Sequence, residues 1–303
     1  MLDFQRFDPA YRDEYIQYLQ TAVHRGCLYD FANLNLWGRQ RVAFVAGSMV
    51  ILSHFDRKSV YSFPMGHVDP APAIDAIIAD ARERGIPCCF IALTEADCQV
   101  LDRLYPGKFR FHMDRDSFDY IYDINDLADL KGRRYQSKRN HLNRFRQNHP
   151  DCLARPMTAG DLPAVQAMTE QWFAQRLAAD PTQDFHLERL ALERAFGNMD
   201  YLGLEGFVLE ENGEILAMTM GSRMSADTFD IHFEKARLDI DGAYPAINNA
   251  FAGYLREKYP QLKWLDREDD MGLEGLRKAK LSYHPARLLE KRWARLWEDA
   301  DEN

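Results

Sequence analysis

"GFVLEENGEILAMTMGSRMSADTFDIHFEKA", residues 206–236, predicts a three-stranded antiparallel meander. Its apolar runs are rich in β-branched and aromatic residues, and turn residues interrupt them at 211–213 and 225–227. A helix is expected before the meander at 158–176, with Asp161 as its N-cap. Three elements are expected after it: a helix at 243–260, a strand at 262–268 and a helix at 272–285.

The first half of the chain follows the same order of elements. The predicted elements are a helix at 8–23, strands at 41–47, 49–55 and 59–66, a helix at 72–85, a strand at 87–93, a helix at 95–106, and strands at 109–114 and 117–123. We therefore expect an α/β (α+β) protein with two domains of one kind, each a mixed, largely antiparallel sheet flanked by helices. The predicted ranges are a degenerate, supporting domain at 1–130, a basic connecting helix at 131–150 and an active domain at 151–303.

Composition excludes some classes of protein. A formal net charge of −9 argues against a surface that is basic throughout, as in proteins that coat nucleic acid or membrane. The five cysteines form no CxxC pair, which favours a reducing, cytoplasmic setting, and no metal site is expected. The N-terminal residues are too acidic for a signal peptide, and no apolar run is long enough to span a membrane, so no integral membrane contact is expected.

Three segments resemble the phosphatidylglycerol lysyltransferase C-terminal-like family. They are "FDYIYDINDLADLKGRRYQSKRNHLNRF" at 118–145, "GAYPAINNAF" at 242–251 and "REDDMGLEGLRKAKLSYHP" at 267–285. That family has tandem GNAT-like domains, and its membrane-bound synthases move an amino acid from aminoacyl-tRNA to a lipid. The resemblance implies an acyltransferase or aminoacyltransferase of tandem GNAT-like fold, with an aminoacyl-tRNA donor, tRNA as a candidate partner, and a small-molecule acceptor bearing an amine or hydroxyl.

The third strand of the meander, "TFDIHFEKA" at 228–236, carries the candidate catalytic residues. Strict alternation would place Asp230, His232 and Glu234 on one face and the apolar residues between them on the other. A half-exposed strand would show the same pattern. Because the resemblance puts this strand at the centre of the fold, we interpret His232 and Glu234 as general bases and Asp230 as a substrate contact.

The segment that follows tests the donor. Acetyl-CoA-binding GNAT proteins resemble [QR]-x-x-G-x-[GA] at this point, where backbone amides hold the pyrophosphate at a helix N-terminus. Here Arg237 and Gly242 match, but Ile240 replaces the central glycine, and Asp239 and Asp241 add negative charge. The pattern counts against acetyl-CoA, which stays the alternative donor. Asn248, on the next helix, is a candidate substrate contact or a turn cap.

The run "REDDMGLEGLRKAK" supplies a further set of candidates. Its acids would stabilise a helix N-terminus, or bind the amino group of a substrate. The candidate substrate contacts here are Glu268, Asp269, Arg277 and Lys280.

Seven Lys or Arg residues fall in 131–150, which contains no acid. On a helix, Lys138 lies beside the apolar face, which favours either an internal acid, for example among 266–270, or an anionic ligand. The third interpretation is an ordinary exposed face, with the Lys138 stem extending to solvent. The candidate anion- or RNA-binding residues are Arg133, Lys138, Arg139, Arg144 and Arg146. A non-catalytic module that binds an amino acid or RNA is the alternative to an enzyme.

Overall fold

The computed structural model describes residues 1–21, 26–38, 40–55 and 58–297, which fall into two compact units. The first comprises Met1–Asp119, Asp269–Leu273 and Leu289–Asn303, and the second comprises Tyr120–Glu268 and Glu274–Leu288. Two mixed sheets of seven strands each, flanked by helices, confirm the predicted α/β fold class.

The sheet of the first unit has the order β1-β2-β3-β4-β5-β14-β6, with β4 and β5 parallel. Its strands are β1 (Gln5–Arg6), β2 (Arg41–Val45), β3 (Ser48–Phe55), β4 (Lys58–Ser62), β5 (Cys89–Leu93), β6 (Phe109–Met113) and β14 (Arg292–Leu296). Its helices are α1 (Arg12–Leu19), α2 (Phe31–Leu36), α3 (Ala71–Arg84) and α4 (Glu95–Leu104). The predicted helix at 8–23 is thus shorter than expected, and residues 22 and 23 lie outside the described residues.

The sheet of the second unit has the order β13-β7-β12-β11-β10-β9-β8. Its strands are β7 (Asp119–Asp123), β8 (Leu153–Pro156), β9 (Leu204–Glu211), β10 (Glu214–Arg223), β11 (Thr228–Ala236), β12 (Trp264–Asp266) and β13 (Arg287–Leu289). The helices are α5 (Ile124–Asp129), α6 (Gln136–Asn148), α7 (Leu162–Ala179), α8 (His186–Gly197), α9 (Met199–Leu202), α10 (Ala243–Lys258) and α11 (Glu274–Leu281).

The compact units do not follow the ranges expected from the sequence. The segment 120–150, which includes the seven Lys and Arg residues of 131–150, lies in the second unit, where β7 pairs with β12. The end of the chain returns to the first unit, because β14 pairs between β5 and β6. A buried ion pair also holds this return: Nζ of Lys291 lies 2.6 Å from a carboxylate oxygen of Asp119.

Asp161 precedes α7, but its carboxylate makes no capping hydrogen bond to that helix. It accepts instead from the backbone N–H of Thr158 and from the guanidinium of Arg155, at 2.7 Å each. These bonds lower the pKa of Asp161. The predicted cap therefore closes the short turn before α7 rather than α7 itself.

A β-bulge in β11 changes which side chains share a face. Gly221 of β10 lies opposite Ile231, but the preceding residue, Met220, lies opposite Phe233, so His232 is an extra residue in β11. Directly opposed residues of an antiparallel pair point to the same face. The bulge therefore shifts the alternation by one residue on the C-terminal side of His232.

Glu234 consequently faces α10, whereas Asp230 faces the other side of the sheet. Glu234 lies opposite Thr219, and Asn248 of α10 donates to its carboxylate. Asp230 lies opposite Ser222, which is three residues after Thr219 in β10 and therefore points to the other face of the sheet. The prediction of one acid–His–acid face is wrong, because a single inserted residue reverses the period-two pattern.

Replacement of Gly221 tests the bulge. Gly221→Ala is expected to lower the free energy of unfolding by about 1–3 kcal/mol, because the new methyl carbon would lie 2.0 Å from the carbonyl oxygen of Asp230. Urea unfolding followed by circular dichroism measures the loss. Gly253→Ala is the matched control: nothing lies within 4 Å of its methyl group, and alanine favours a helix. An equal response of the two variants would contradict this account of the bulge.

Candidate active site

The candidate site lies where β11 and β12 separate. The two strands pair in parallel only from Thr228 to Asp230 on β11, although β11 continues to Ala236. Beyond this point, polar side chains approach from β11, from α6 and α10, and from the residues that follow β12 and α11. We name the set Lys138, Glu234, Asn248, Arg267 and Tyr283 the splay cluster.

Glu234 is the centre of the splay cluster. One carboxylate oxygen accepts from Nη2 of Arg267 at 2.8 Å, and the other accepts from Nδ2 of Asn248 at 3.2 Å. The Arg267 and Glu234 side chains are only 13% and 12% exposed, so solvent screens this pair weakly. The ion pair therefore fixes both side chains at the point where the strands part.

Two atoms of the splay cluster have unused hydrogen-bonding capacity. Nη1 of Arg267 and Oδ1 of Asn248 are buried, and neither has a hydrogen-bond partner among the described residues. An unsatisfied buried donor or acceptor costs about 1–3 kcal/mol. Among the described residues, the two side chains bound to Glu234 thus offer one free donor, Nη1 of Arg267, and one free acceptor, Oδ1 of Asn248, and a ligand could satisfy both.

Lys138 and Arg267 share the ring of Tyr283. Nζ of Lys138 lies 3.9 Å from the ring centroid, and Cζ of Arg267 lies 5.1 Å from it. Burial, followed by the charge of Arg267, lowers the pKa of Lys138 to about 8, while Glu234 opposes the shift. Lys138 is therefore half-buried, and the acid that favours its charged form is Glu234 rather than an acid of 266–270.

His232 lies on the opposite face of the bulge, in a separate set of contacts. Its Nε2 is 2.8 Å from the hydroxyl of Ser222, and its Nδ1 is 3.1 Å from a carboxylate oxygen of Glu268. Asp230 is fully buried beside it, with a carboxylate oxygen 3.7 Å from Nδ1. The structure thus separates the two predicted bases, His232 and Glu234, onto different faces.

Lys280 holds the turn that links these two sets of contacts. Its Nζ donates to the carbonyl oxygens of Arg267 at 2.5 Å and Glu268 at 3.2 Å. Glu268 has a φ of 56°, a left-handed conformation that is unfavourable for a non-glycine residue. Lys280, predicted as a substrate contact, therefore positions the backbone that brings Arg267 to Glu234 and Glu268 to His232.

Two other predicted contacts lie elsewhere. Asp269 belongs to the first unit, and its charge helps to raise the pKa of the buried Lys291. Arg277 lies half-buried on α11. Neither is part of the splay cluster.

The two acids before α10 are paired, although the sequence predicted that they would add negative charge there. Asp239 pairs with Arg237 at 2.8 Å, and Asp241 pairs with Arg144 at 2.5 Å, so neither acid is an uncompensated charge. Gly242 has a φ of 85°, and a methyl group added to it would lie 2.5 Å from the carbonyl oxygen of His141 on α6. α6 is therefore packed closely against the N-terminus of α10.

The four arginines that the sequence suggested as anion- or RNA-binding residues have different environments. Arg139 donates to the backbone carbonyls of Leu130 and Gly132, and Arg146 donates to the side chain of Asn249 at 3.3 Å. Arg144 is held by Asp241, as described above. Arg133 is exposed and has no hydrogen bond or ion pair with a described residue. Three of the four thus brace the second unit.

The pattern of the family described as "Phosphatidylglycerol lysyltransferase, C-terminal" matches residues 20–295. The chain belongs to this family. Membership supports aminoacyl transfer as the general class of reaction, and it confirms the resemblance found in the three sequence segments. No described helix has the length and apolar character needed to cross a bilayer.

Solved structures of relatives share the fold of this family member. A conserved protein of unknown function from Bacteroides thetaiotaomicron is 35% identical, with a TM-score of 0.91, and the alignment covers 98% of this chain and 100% of that one. L-PGS from Bacillus licheniformis is 16% identical, with a TM-score of 0.68 and coverage of 96% and 93%. A tandem GNAT protein from the clavulanic acid biosynthesis pathway is 8% identical, with a TM-score of 0.50 and coverage of 99% and 100%. The fold is therefore tandem GNAT-like.

A curated relative gives a shorter match. The protein MYCGA3080 of Mycoplasmoides gallisepticum is 25% identical over 177 residues. The match covers 58% of this chain and about half, 55%, of that relative.

Arg267, Tyr283 and Ser222 were not among the predicted site residues. Arg267 opens an acidic run, which draws attention to the acids that follow it. Gly221 within a strand pattern was the available signal for a bulge, since an isolated glycine in a strand often marks one. That signal would have indicated that the alternation changes near His232.

A double-mutant cycle tests the ion pair of the splay cluster. Glu234→Gln and Arg267→Gln should each lower the free energy of unfolding, because each leaves a buried partner unpaired. The coupling energy between them should be about 0.5–3 kcal/mol, as found for residues in direct contact. Urea unfolding of the three variants supplies the cycle. Additive losses, within about 0.3 kcal/mol, would show that the pair is not coupled.

The pKa of Lys138 predicts a pH dependence of stability. Its pKa is lowered in the folded protein, so between about pH 8 and its ordinary value of 10.5 the unfolded chain binds more protons. The contribution of this residue should therefore make the protein more stable as pH rises through that window. From pH 7 to 10.5, the unfolding free energy of the unmodified protein should rise relative to that of Lys138→Met. Lys131, whose side chain is 82% exposed, provides the control: the unmodified protein should show no such rise relative to Lys131→Met.

Proposed function

We propose that this chain transfers an aminoacyl group from an aminoacyl-tRNA-type donor to an amine or hydroxyl acceptor, and that the splay cluster is the reaction site. One observation carries the proposal: Nη1 of Arg267 and Oδ1 of Asn248 are buried without a partner among the described residues, and both side chains are bound to Glu234.

The two atoms match the two polar groups of an aminoacyl ester. Its carbonyl oxygen, which becomes negative during attack, requires a donor, and Nη1 of Arg267 is a charged one. Its α-ammonium group requires acceptors, which Oδ1 of Asn248 and the carboxylate of Glu234 provide. An acetyl group has no ammonium group, so it would leave Oδ1 of Asn248 unsatisfied. The cluster therefore favours an aminoacyl over an acetyl donor.

The charges of the splay cluster favour the same reaction. Two cations, Lys138 and Arg267, surround the single carboxylate of Glu234, so a positive charge remains when Lys138 is protonated. A fixed positive charge in a poorly screened environment stabilises a developing oxyanion. We assign His232, whose ring nitrogens contact Ser222 and Glu268, to positioning rather than to proton transfer.

The contacts of α10 argue against acetyl-CoA. The pyrophosphate of CoA would need exposed backbone amides at a helix N-terminus. At this terminus α6 packs against Gly242, and Ile240 packs on the apolar core. We therefore expect no binding of acetyl-CoA or CoA in calorimetry. Micromolar binding would favour the acetyl-CoA-dependent alternative.

The basic segment contributes to tRNA binding mainly through Arg133 in this proposal. Replacing a side chain that contacts one phosphate should weaken binding and reduce the salt dependence by about one unit of slope. Arg133→Ala should show this change in a fluorescence titration of tRNA at several salt concentrations. Arg139→Ala, whose guanidinium holds backbone carbonyls, should instead lower stability. No binding of tRNA at low salt would remove tRNA as the partner.

Transfer is tested with a pool of labelled aminoacyl-tRNA and hydroxylamine, a small amine acceptor. The unmodified protein should form labelled aminoacyl hydroxamate above the uncatalysed rate. Arg267→Gln should reduce the rate about 10²–10³-fold, the typical effect of losing one oxyanion donor. Asn248→Ala should also reduce it, while Gly253→Ala should not. Binding of an amino acid or RNA without any transfer would favour the non-catalytic alternative.

A further inference from the structure

We propose that Lys138, as a neutral amine, accepts the proton that the acceptor loses when it attacks the aminoacyl carbonyl. This inference rests on the proposed function and identifies its base. The acceptor nitrogen or oxygen bonds to the carbonyl carbon, and its proton passes to Nζ of Lys138. The ester C–O bond to the tRNA ribose then breaks, and the ammonium of Lys138 returns the proton to the leaving ribose oxygen.

The contacts of the half-buried Lys138 differ from those of two buried lysines in the same unit. Lys280 donates to two backbone carbonyls, and Lys235 donates to Glu188 at 2.6 Å. Lys138 has no hydrogen-bond acceptor among the described residues, and its Nζ rests over the ring of Tyr283. Lys138 can therefore lose a proton without breaking a hydrogen bond, whereas the other two lysines cannot.

The charged neighbours of Lys138 favour the neutral amine. Arg267, after β12, repels its charged form, and Glu234 on β11 only partly offsets this effect. Tyr283, after α11, keeps its proton because burial raises its pKa. On the side of α6 itself, Arg134 is paired with Asp126, and Arg139 is bound to backbone carbonyls. With a pKa of about 8, Lys138 can both accept and return a proton near neutral pH.

Glu234 is less suited to this task than Lys138. Both of its carboxylate oxygens already accept hydrogen bonds, one from a guanidinium and one from an amide. In the proposed function these oxygens face the donor's ammonium group. A separate base is therefore needed on the acceptor side, and Lys138 is the group of the splay cluster that has this capacity.

Two acceptors that differ in their need for a base separate a base from a binding residue. The hydroxyl of glycerol is a weak nucleophile that must lose its proton as it attacks, whereas neutral hydroxylamine can attack first and lose its proton afterwards. Lys138→Ala and Lys138→Arg should reduce transfer to glycerol about 10²–10⁴-fold, the usual contribution of a general base. Transfer to hydroxylamine should fall less than about tenfold, since its attack depends less on a base. Lys131→Ala is the control, and melting temperatures establish that each variant is folded.

Each other outcome overturns the inference. Equal losses with both acceptors would show that Lys138 binds or positions a substrate, and unchanged rates would show that it has no part in transfer. Transfer to neither acceptor by the unmodified protein would remove the proposed function, and with it this role. An NMR titration of labelled lysine side chains distinguishes the two failures. A Lys138 pKa above about 10 overturns its role as the base even if transfer occurs. A pKa near 8 without transfer shows instead that the proposed function is wrong.

Discussion

The extra residue in β11 is the constraint on which the arrangement of the second unit depends. Without it, Glu234 would share a face with Asp230 and would lie away from α10. With it, Glu234 reaches Asn248 and Arg267, and His232 is left to contact Ser222 and Glu268. Gly221 makes this possible, because no side chain fits against the carbonyl of Asp230. One backbone irregularity thus divides a polar strand between two sets of contacts.

Charge balance explains why these contacts suit the proposed reaction. The Arg267–Glu234 ion pair alone would be electrically neutral. The second cation, Lys138, makes the splay cluster positive and is itself destabilised as a cation by Arg267. Tyr283 allows the two cations to lie close together, because its ring face attracts both. In the proposed reaction, this arrangement would link the stabilisation of an oxyanion to the availability of a base.

The basic segment shows how a charge pattern can have more than one meaning. Its arginines appear in the sequence as a run without acids, which is typical of an anion-binding surface. In the structure, Arg139 and Arg146 hold backbone and amide groups, and Arg144 pairs with Asp241 from a distant part of the chain. The segment therefore needs no acids of its own, because Asp241 and Asn249 supply partners for Arg144 and Arg146, and Arg139 binds backbone carbonyls.

The sequence by itself determined the fold class, the strand order of the meander and the family, because periodicity, turn residues and local motifs are properties of short segments. It also indicated Glu234, Asn248 and Lys138 as candidate site residues, although no short segment relates them to one another. Only the tertiary structure decided that these residues meet Arg267 and Tyr283, and that His232 does not join them. It likewise decided that β14 completes the first sheet while β7 joins the second. The physical reason is that a bulge and a strand's choice of partner depend on contacts between segments far apart in the chain, which local pattern does not encode.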